Sequence, residues 1–159
     1  MSLDQVLDQL RLQLPAVTFE PGAAFFWSPK HRTITYKDNA TDKQPQDAWA
    51  LLHEAAHAVL DHQKYQSDLD LLLLEVAAWH KAKDLAKDLG IAIDEDHIQD
   101  CLDTYRDWLH QRATCPRCST VSLQKSPQAY HCHNCAATWH VSASRFCRPY
   151  RRQSQVASH

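Results

Sequence analysis

The sequence predicts an α+β protein, with an N-terminal helix, a small antiparallel sheet and a helical bundle followed by a cysteine-rich module. Three observations support this fold class. Long stretches place apolar residues at helical spacing, short aromatic and β-branched runs lie between turn residues, and two Cys-x2-Cys pairs stand 13 residues apart. The 159 residues suffice for one core and a small metal-stabilised module.

The elements can be placed approximately from the spacing of apolar residues and from turn signals. Ser2 is a plausible N-cap of the first helix, and Gly90 suits the C-terminal end of the third. The four predicted helices cover residues 3–14, 46–62, 67–90 and 94–110. The three runs that predict the first sheet are residues 16–19, 23–27 and 32–36.

Neither a membrane span nor a secretory signal is visible in the sequence. No stretch approaches the roughly 20 apolar residues that a membrane span needs. The N-terminus lacks a basic cluster followed by an apolar run. We therefore expect a cytoplasmic protein that has no membrane partner.

Charge divides the chain into two parts of opposite sign. Residues 1–111 contain all 19 acidic residues and 10 of the 17 Lys and Arg residues, which gives a formal charge of −9. Residues 112–159 contain no acidic residue and the other seven, which gives +7. This division predicts a domain at residues 1–111, a cysteine-rich module at residues 112–147 and a basic and polar tail at residues 148–159.

The second predicted helix contains the pattern His53-Glu54-Ala55-Ala56-His57. Residues four apart lie on one face of a helix, so both imidazoles can bind one zinc ion. Zinc lowers the pKa of a bound water and polarises a carbonyl group, and Glu54 is placed to take the proton from that water. The pattern predicts a zinc metallopeptidase site, with His53 and His57 as ligands and Glu54 as general base.

A catalytic zinc site normally has three protein ligands, so a third is expected. Glu75 lies in the apolar stretch from Leu71 to Trp79, where an unpaired carboxylate would be costly, and a zinc ion would compensate its charge. His80 is the alternative on the same helix. His62 is rejected unless the helix ends before it, because five residues along a continuous helix turn it about 140° away from His57.

The stretch from Thr33-Ile34-Thr35-Tyr36 through the His-Glu-x-x-His pattern to Glu75 resembles the ImmA/IrrE-like family of gluzincin metallopeptidases. The resemblance covers roughly residues 25–90. It implies that His53, His57 and Glu75 bind a catalytic zinc ion and that the strand at residues 32–36 pairs with an extended substrate peptide. It also implies a protein substrate, which for this family is often a transcriptional regulator.

The sequence departs from the gluzincin pattern at Trp79, where some of these enzymes have an aspartate that orients a histidine ligand. Asp61 is one possible source of such support. SprT-like metallopeptidases are a second resemblance. They join a His-Glu-x-x-His helix to a C-terminal zinc ribbon and act on DNA-associated proteins, and this reading would make His80 the third ligand.

Four cysteines follow in the pattern Cys-x2-Cys-x13-Cys-x2-Cys. They are Cys115, Cys118, Cys132 and Cys135. Two pairs at this spacing supply four thiolates to one tetrahedral zinc ion and predict a zinc ribbon. Such a closed site has no open position, so this second zinc ion would be structural.

The C-terminal part also combines basic and aromatic residues, which are Arg112, Arg117, Lys125, Arg145, Arg148, Arg151 and Arg152 with Tyr130, Trp139, Phe146 and Tyr150. Such a segment could bind nucleic acid through phosphate contacts and stacking, or an acidic protein surface. The sequence as a whole predicts a zinc-dependent endopeptidase of regulatory type. The alternatives are a SprT-like protease and a non-catalytic zinc-ribbon protein that binds nucleic acid or protein.

Overall fold

The computed structural model describes residues 1–38, 44–142 and 151–153 of the chain, the last three by their backbone. The fold is α+β, as predicted, with four helices and small β-sheets among these residues. The chain divides into two compact units. The first unit comprises Met1–Lys64 and Leu74–Ile98, and the second comprises Tyr65–Leu73 and Gln99–His159. The boundaries predicted after residues 111 and 147 follow charge and motif, and they stay predictions.

The helices and the first three strands begin and end close to the predicted positions. They are α1 (Leu3–Gln13), β1 (Thr18–Gly22), β2 (Phe26–Ser28), β3 (Thr33–Lys37), α2 (Pro45–Val59), α3 (Asp68–Asp88) and α4 (Glu95–Ala113). The predicted cap of α1 is confirmed. The Ser2 hydroxyl accepts a hydrogen bond from the Gln5 amide at 3.2 Å, and the Gln5 side chain accepts one from the Ser2 amide at 2.8 Å. No helix in the described ranges has both the length and the apolar composition that crossing a membrane requires.

The first sheet is mixed, whereas the sequence predicted an antiparallel one. Strands β2 and β3 form the expected antiparallel hairpin, but β1 runs parallel to β3. The order β1-β3-β2 explains this difference, because the chain passes from β1 to the far edge, returns as β2 and then runs as β3 between the two. The strand at residues 32–36, expected to be the edge that pairs with a substrate peptide, is therefore the central strand.

Helix α2 packs its apolar face on this sheet. It contacts β2 and β3, and its Leu51 and Leu52 side chains are fully buried, as is Ile34 of β3. Burial of each of these side chains contributes about 1.5–3 kcal/mol to folding. The same face of α2 also buries Ala55 and Ala56, so the helix that carries the His-Glu-x-x-His pattern is held firmly in the first unit.

Helix α2 ends at Val59, three residues earlier than predicted. Asp61 adopts the left-handed conformation, with φ at 51°, and its amide donates to the Ala58 carbonyl at 3.1 Å. The His62 amide donates to the His57 carbonyl at 3.0 Å. These two bonds form a Schellman C-cap, which turns the chain back over the last turn of the helix. Helix α3 is capped in the same way after Asp88, with Gly90 as the left-handed residue, where the sequence predicted a cap.

The second unit contains a four-stranded antiparallel sheet in the order β4-β5-β6-β7. The strands are β4 (Leu123–Ser126), β5 (Ala129–His131), β6 (Thr138–Val141) and β7 (Arg151–Gln153). Its core is small, with the rings of Tyr130 and Trp139 stacked at 5.6 Å and Val141 packed in the same cluster. Cys115 and Cys132 are buried in the same core.

A buried ion pair joins the start of α3 to the end of α4 within the second unit. The Arg112 Nε donates to Asp68 Oδ2 at 2.8 Å, and each residue is only 2% exposed. The Tyr130 hydroxyl donates to the same carboxylate oxygen at 2.5 Å, and the Trp139 indole donates to the Arg112 carbonyl at 2.9 Å. Burial and the Asp68 carboxylate raise the pKa of Tyr130 well above its usual range, so this phenol stays a donor.

Replacement of Arg112 by leucine should destabilise the second unit strongly, because it leaves the Asp68 carboxylate buried without its cation. The expected loss in the free energy of unfolding is about 3–5 kcal/mol, measured by urea denaturation followed by circular dichroism. Arg106→Leu is the matched control, since it breaks the exposed pair with Asp103 and should cost about 0–1 kcal/mol. Equal losses for the two variants would contradict this account of the ion pair.

Candidate metal centres

The first candidate centre lies in the first unit, where His53, His57 and Glu75 converge. His53 Nε2 lies 3.0 Å from Glu75 Oε2 and 3.1 Å from His57 Nε2. His57 Nε2 lies 3.4 Å from Glu75 Oε1. The structure thus brings together the three residues that the sequence analysis selected as ligands.

These distances suit a single metal ion. Ligand atoms at about 2.0–2.1 Å from a tetrahedral zinc ion lie about 3.4 Å from one another, close to the separations seen here. Glu75 is 6% exposed, and burial by itself would raise its pKa. The hydrogen bonds and charges of His53 and His57 outweigh burial and lower the pKa of Glu75 to about 2. The centre therefore presents an ionised carboxylate and two imidazole nitrogens to a cation.

Helices α2 and α3 position these ligands. His53 and His57 stand one turn apart on α2, and Glu75 projects from α3 beside buried Ala78 and Trp79. The Trp79 indole stacks on the His53 ring, with centroids 4.2 Å apart and an angle of 25° between the planes. Trp79 stands where some gluzincins have an aspartate that orients a histidine ligand. In this protein the His53 ring is supported there by stacking on the indole. Within the described residues, His53 Nδ1 has no hydrogen-bond partner.

Glu54 lies beside the ligands and is held by the sheet. Its Oε2 accepts a hydrogen bond from the backbone amide of Trp27 in β2, at 2.8 Å. Burial raises the pKa of Glu54, and the negative charge of Glu75 acts in the same direction against the lowering effect of His53 and His57. A carboxylate held at this position is placed to exchange a proton with a group bound at the candidate centre.

The structure does not include the alternative third ligand in this centre. His80 is exposed and does not belong to the group formed by His53, His57 and Glu75. Asp61, considered as a possible support for a histidine ligand, is instead paired with Arg32 at 3.2 Å.

His62, which the sequence analysis rejected, lies against His57. The Nδ1 atoms of the two rings are 2.8 Å apart. The sequence predicted that α2 continues to residue 62. The Schellman cap instead turns the chain back, so that His62 lies next to His57. Burial lowers the pKa of His62, as does its neighbour His57. The sequence has no glycine here to predict the turn, because the left-handed residue is Asp61.

The second candidate centre lies in the second unit and consists of the four predicted cysteines. The Sγ atoms of Cys115 and Cys135 are 3.6 Å apart, and those of Cys118 and Cys132 are 3.5 Å apart. Both separations exceed the length of a disulfide bond and are close to the roughly 3.8 Å expected between thiolates on one tetrahedral zinc ion. The four residues therefore form a group that can hold a metal.

Two equivalent backbone turns present these sulfur atoms. In the first turn, the amide of Arg117 donates to Cys115 Sγ at 3.4 Å, and Ser119 has φ at 63°. In the second turn, the amides of Asn134 and Cys135 donate to Cys132 Sγ at 3.4 Å, and Ala136 has φ at 61°. Backbone N–H groups directed at sulfur stabilise a thiolate, so each turn is prepared for a metal-bound cysteine.

Neighbouring groups shift the pKa values of two of these cysteines in opposite directions. The Thr120 hydroxyl and the Asn134 side chain lower the pKa of Cys118 to about 5. A backbone hydrogen bond would lower the pKa of Cys135, but burial and the neighbouring sulfur atoms raise it to about 11. Ionisation of all four cysteines would bring thiolates into contact, and a bound divalent cation would remove the resulting repulsion.

Only some of the basic and aromatic residues that were predicted to contact nucleic acid are exposed in the structure. Arg112, Tyr130 and Trp139 are buried, so they cannot contact a nucleic acid. Arg117 and Lys125 are exposed. Arg145, Phe146, Arg148 and Tyr150 lie outside the described residues, as do the side chains of Arg151 and Arg152.

The metal content of purified protein should separate the two centres. Elemental analysis is expected to find two zinc ions per chain in the wild type and one in Glu75→Ala, because this variant lacks the anionic ligand of the first centre. His80→Ala is the matched control on the same helix and should retain two. One zinc ion in the wild type, unchanged in Glu75→Ala, would contradict a metal at the first centre.

No family model, curated protein or solved structure matches this chain. The resemblance of residues 25–90 to ImmA/IrrE-like peptidases therefore stays a prediction from the sequence.

Proposed function

We propose that this protein is a zinc-dependent endopeptidase that hydrolyses peptide bonds of a protein substrate. The observation that supports the proposal most directly is the convergence of His53, His57 and Glu75, with Glu54 beside them. Two imidazoles and one carboxylate are the ligand set of several zinc peptidases, which leave a fourth position open for water or substrate. The same observation favours Glu75 over His80 as third ligand and so favours the gluzincin-like reading over the SprT-like one.

A zinc ion bound by His53, His57 and Glu75 would lower the pKa of water and polarise the scissile carbonyl group. The residues of the chain supply the proton transfers. Glu54, held by the Trp27 amide, takes a proton from the attacking water and delivers it to the leaving amide nitrogen. The same carboxylate can serve both steps, as a base while it is ionised and as an acid once it has taken the proton.

The second zinc ion is proposed to have a structural role. Four thiolates fill a tetrahedral coordination sphere, so Cys115, Cys118, Cys132 and Cys135 leave no position for substrate. The sulfur atoms lie in the small core with Tyr130 and Trp139, so metal binding and folding of this module are coupled.

We further propose that the protein is cytoplasmic and that its substrate is a regulatory protein, such as a transcriptional regulator or a DNA-associated protein. A reducing compartment would keep the four cysteines available for metal. Nucleic-acid binding receives little support from the described residues, since two of the aromatic side chains are in the core.

Glu54→Gln should abolish peptide hydrolysis while the variant still binds two zinc ions. Glutamine cannot accept the proton, and loss of a general base typically lowers kcat by about 10²–10⁴-fold. Cleavage is measured by mass spectrometry on a peptide library of mixed sequence, with zinc content determined on the same samples. Glu20→Gln is the matched control, because Glu20 is an exposed residue of β1.

Two outcomes would overturn the proposal. One is equal cleavage by the wild type and Glu54→Gln, which would assign the activity to a contaminant or to another site. The other is a wild type that holds two zinc ions and cleaves no peptide, which would favour a non-catalytic zinc protein.

A further inference from the structure

We propose that His62 is a positioning residue, which accepts a hydrogen bond from His57 Nδ1 and so directs the Nε2 lone pair of His57 toward the metal. This inference rests on the proposed function, because it concerns how a ligand of that centre is oriented. It assigns a role to a residue outside the His-Glu-x-x-His pattern.

The two nitrogens of the His57 ring have different partners. Nε2 faces His53 Nε2 at 3.1 Å and Glu75 Oε1 at 3.4 Å, whereas Nδ1 faces His62 Nδ1 at 2.8 Å. A neutral imidazole carries one proton, so Nε2 can bind a cation only when the proton is on Nδ1. That Nδ1–H group needs an acceptor, and His62 Nδ1 provides it.

His62 is not itself a ligand of this centre. It lies on the Nδ1 side of the His57 ring, while His53 and Glu75 lie on the Nε2 side. It also does not belong to the group of ligand atoms formed by His53, His57 and Glu75.

The turn that carries His62 is held from two directions. Hydrogen bonds of the Schellman cap fix its backbone to the end of α2. From the hairpin of β2 and β3, the Trp27 indole donates to the His62 carbonyl at 3.1 Å, and Arg32 pairs with Asp61 at 3.2 Å. The Arg32 guanidinium also lies 5.8 Å from the Trp27 ring centroid. These contacts fix the backbone from which the His62 side chain reaches His57.

His53 differs from His57 in this respect. Its ring stacks on Trp79, and its Nδ1 has no hydrogen-bond partner among the described residues. Among the described residues, His57 thus has a hydrogen-bond partner for its Nδ1 atom, whereas His53 does not.

The test is the zinc affinity of the first centre, measured on the full-length protein by competition with a chromophoric chelator. His62→Leu removes the acceptor and should weaken this affinity by about 10–100-fold. His62→Asn should restore most of it, because Asn Oδ1 lies the same number of bonds from the backbone as His Nδ1 and can also accept. His80→Leu, at an exposed histidine, is the control and should bind zinc as the wild type does.

Cobalt replacement gives a second readout at the same positions. The visible bands of Co²⁺ at the first centre should change in His62→Leu and return toward the wild-type spectrum in His62→Asn, while the sulfur charge-transfer bands of the cysteine centre stay constant. Constant sulfur bands also report that the variant is folded in its second unit.

A matched pair of variants tests the turn itself. Asp61→Gly and Asp61→Val both remove the pair with Arg32, but only glycine adopts the left-handed conformation readily. We expect Asp61→Val to bind zinc more weakly than Asp61→Gly at the first centre.

Each outcome has a distinct meaning. Wild-type affinity in His62→Leu, or a loss that His62→Asn does not restore, would overturn the positioning role and leave the proposed function intact. A wild type that binds zinc only at the cysteine centre would overturn the proposed function, and with it this inference.

Discussion

A buried carboxylate beside two imidazole nitrogens is the constraint on which the first unit depends. Glu75 lies in the interior, and an ionised carboxylate there is costly unless a positive charge compensates it. His53 and His57 direct Nε2 atoms at its oxygens, and together the three groups form the donor set of a candidate metal site. The packing of α2 on the sheet fixes two of these groups, and the same sheet holds Glu54 through the Trp27 amide.

The residues that follow the end of α2 also contact the candidate centre. A helix that continued past Val59 would direct His62 away from His57, and the Schellman cap brings it back. The cap uses Asp61 in the left-handed conformation, which an L-residue adopts at some cost. The pair between Asp61 and Arg32, and the hydrogen bond from Trp27 to His62, help to hold that conformation. A backbone turn thus places His62 in contact with a residue of the candidate centre.

The second unit handles buried charge in two ways. Asp68 and Arg112 neutralise each other and share Tyr130 as a donor, so their charges remain inside the protein without a metal. The four cysteines instead form a group that could hold a metal ion, and a cation bound there would compensate the charge of their thiolates. The ion pair and the small core of this unit contain side chains that the composition had suggested for nucleic-acid contact. Arg112 binds Asp68, while Tyr130 and Trp139 form the core.

The sequence by itself determined the features that local spacing controls. These are the α+β class, the cap at Gly90, the shared helical face of His53 and His57, the buried position of Glu75 and the two cysteine pairs. Only the tertiary structure decided that β3 is central, that β1 is parallel to it, that His62 contacts His57 and that Arg112 is buried. The physical reason is that periodicity and spacing act within one element. The order of the strands and the pairing of Arg112 with Asp68 depend on contacts between residues far apart in the chain. The cap at Asp61, which lacks a glycine, depends on contacts across the end of a helix.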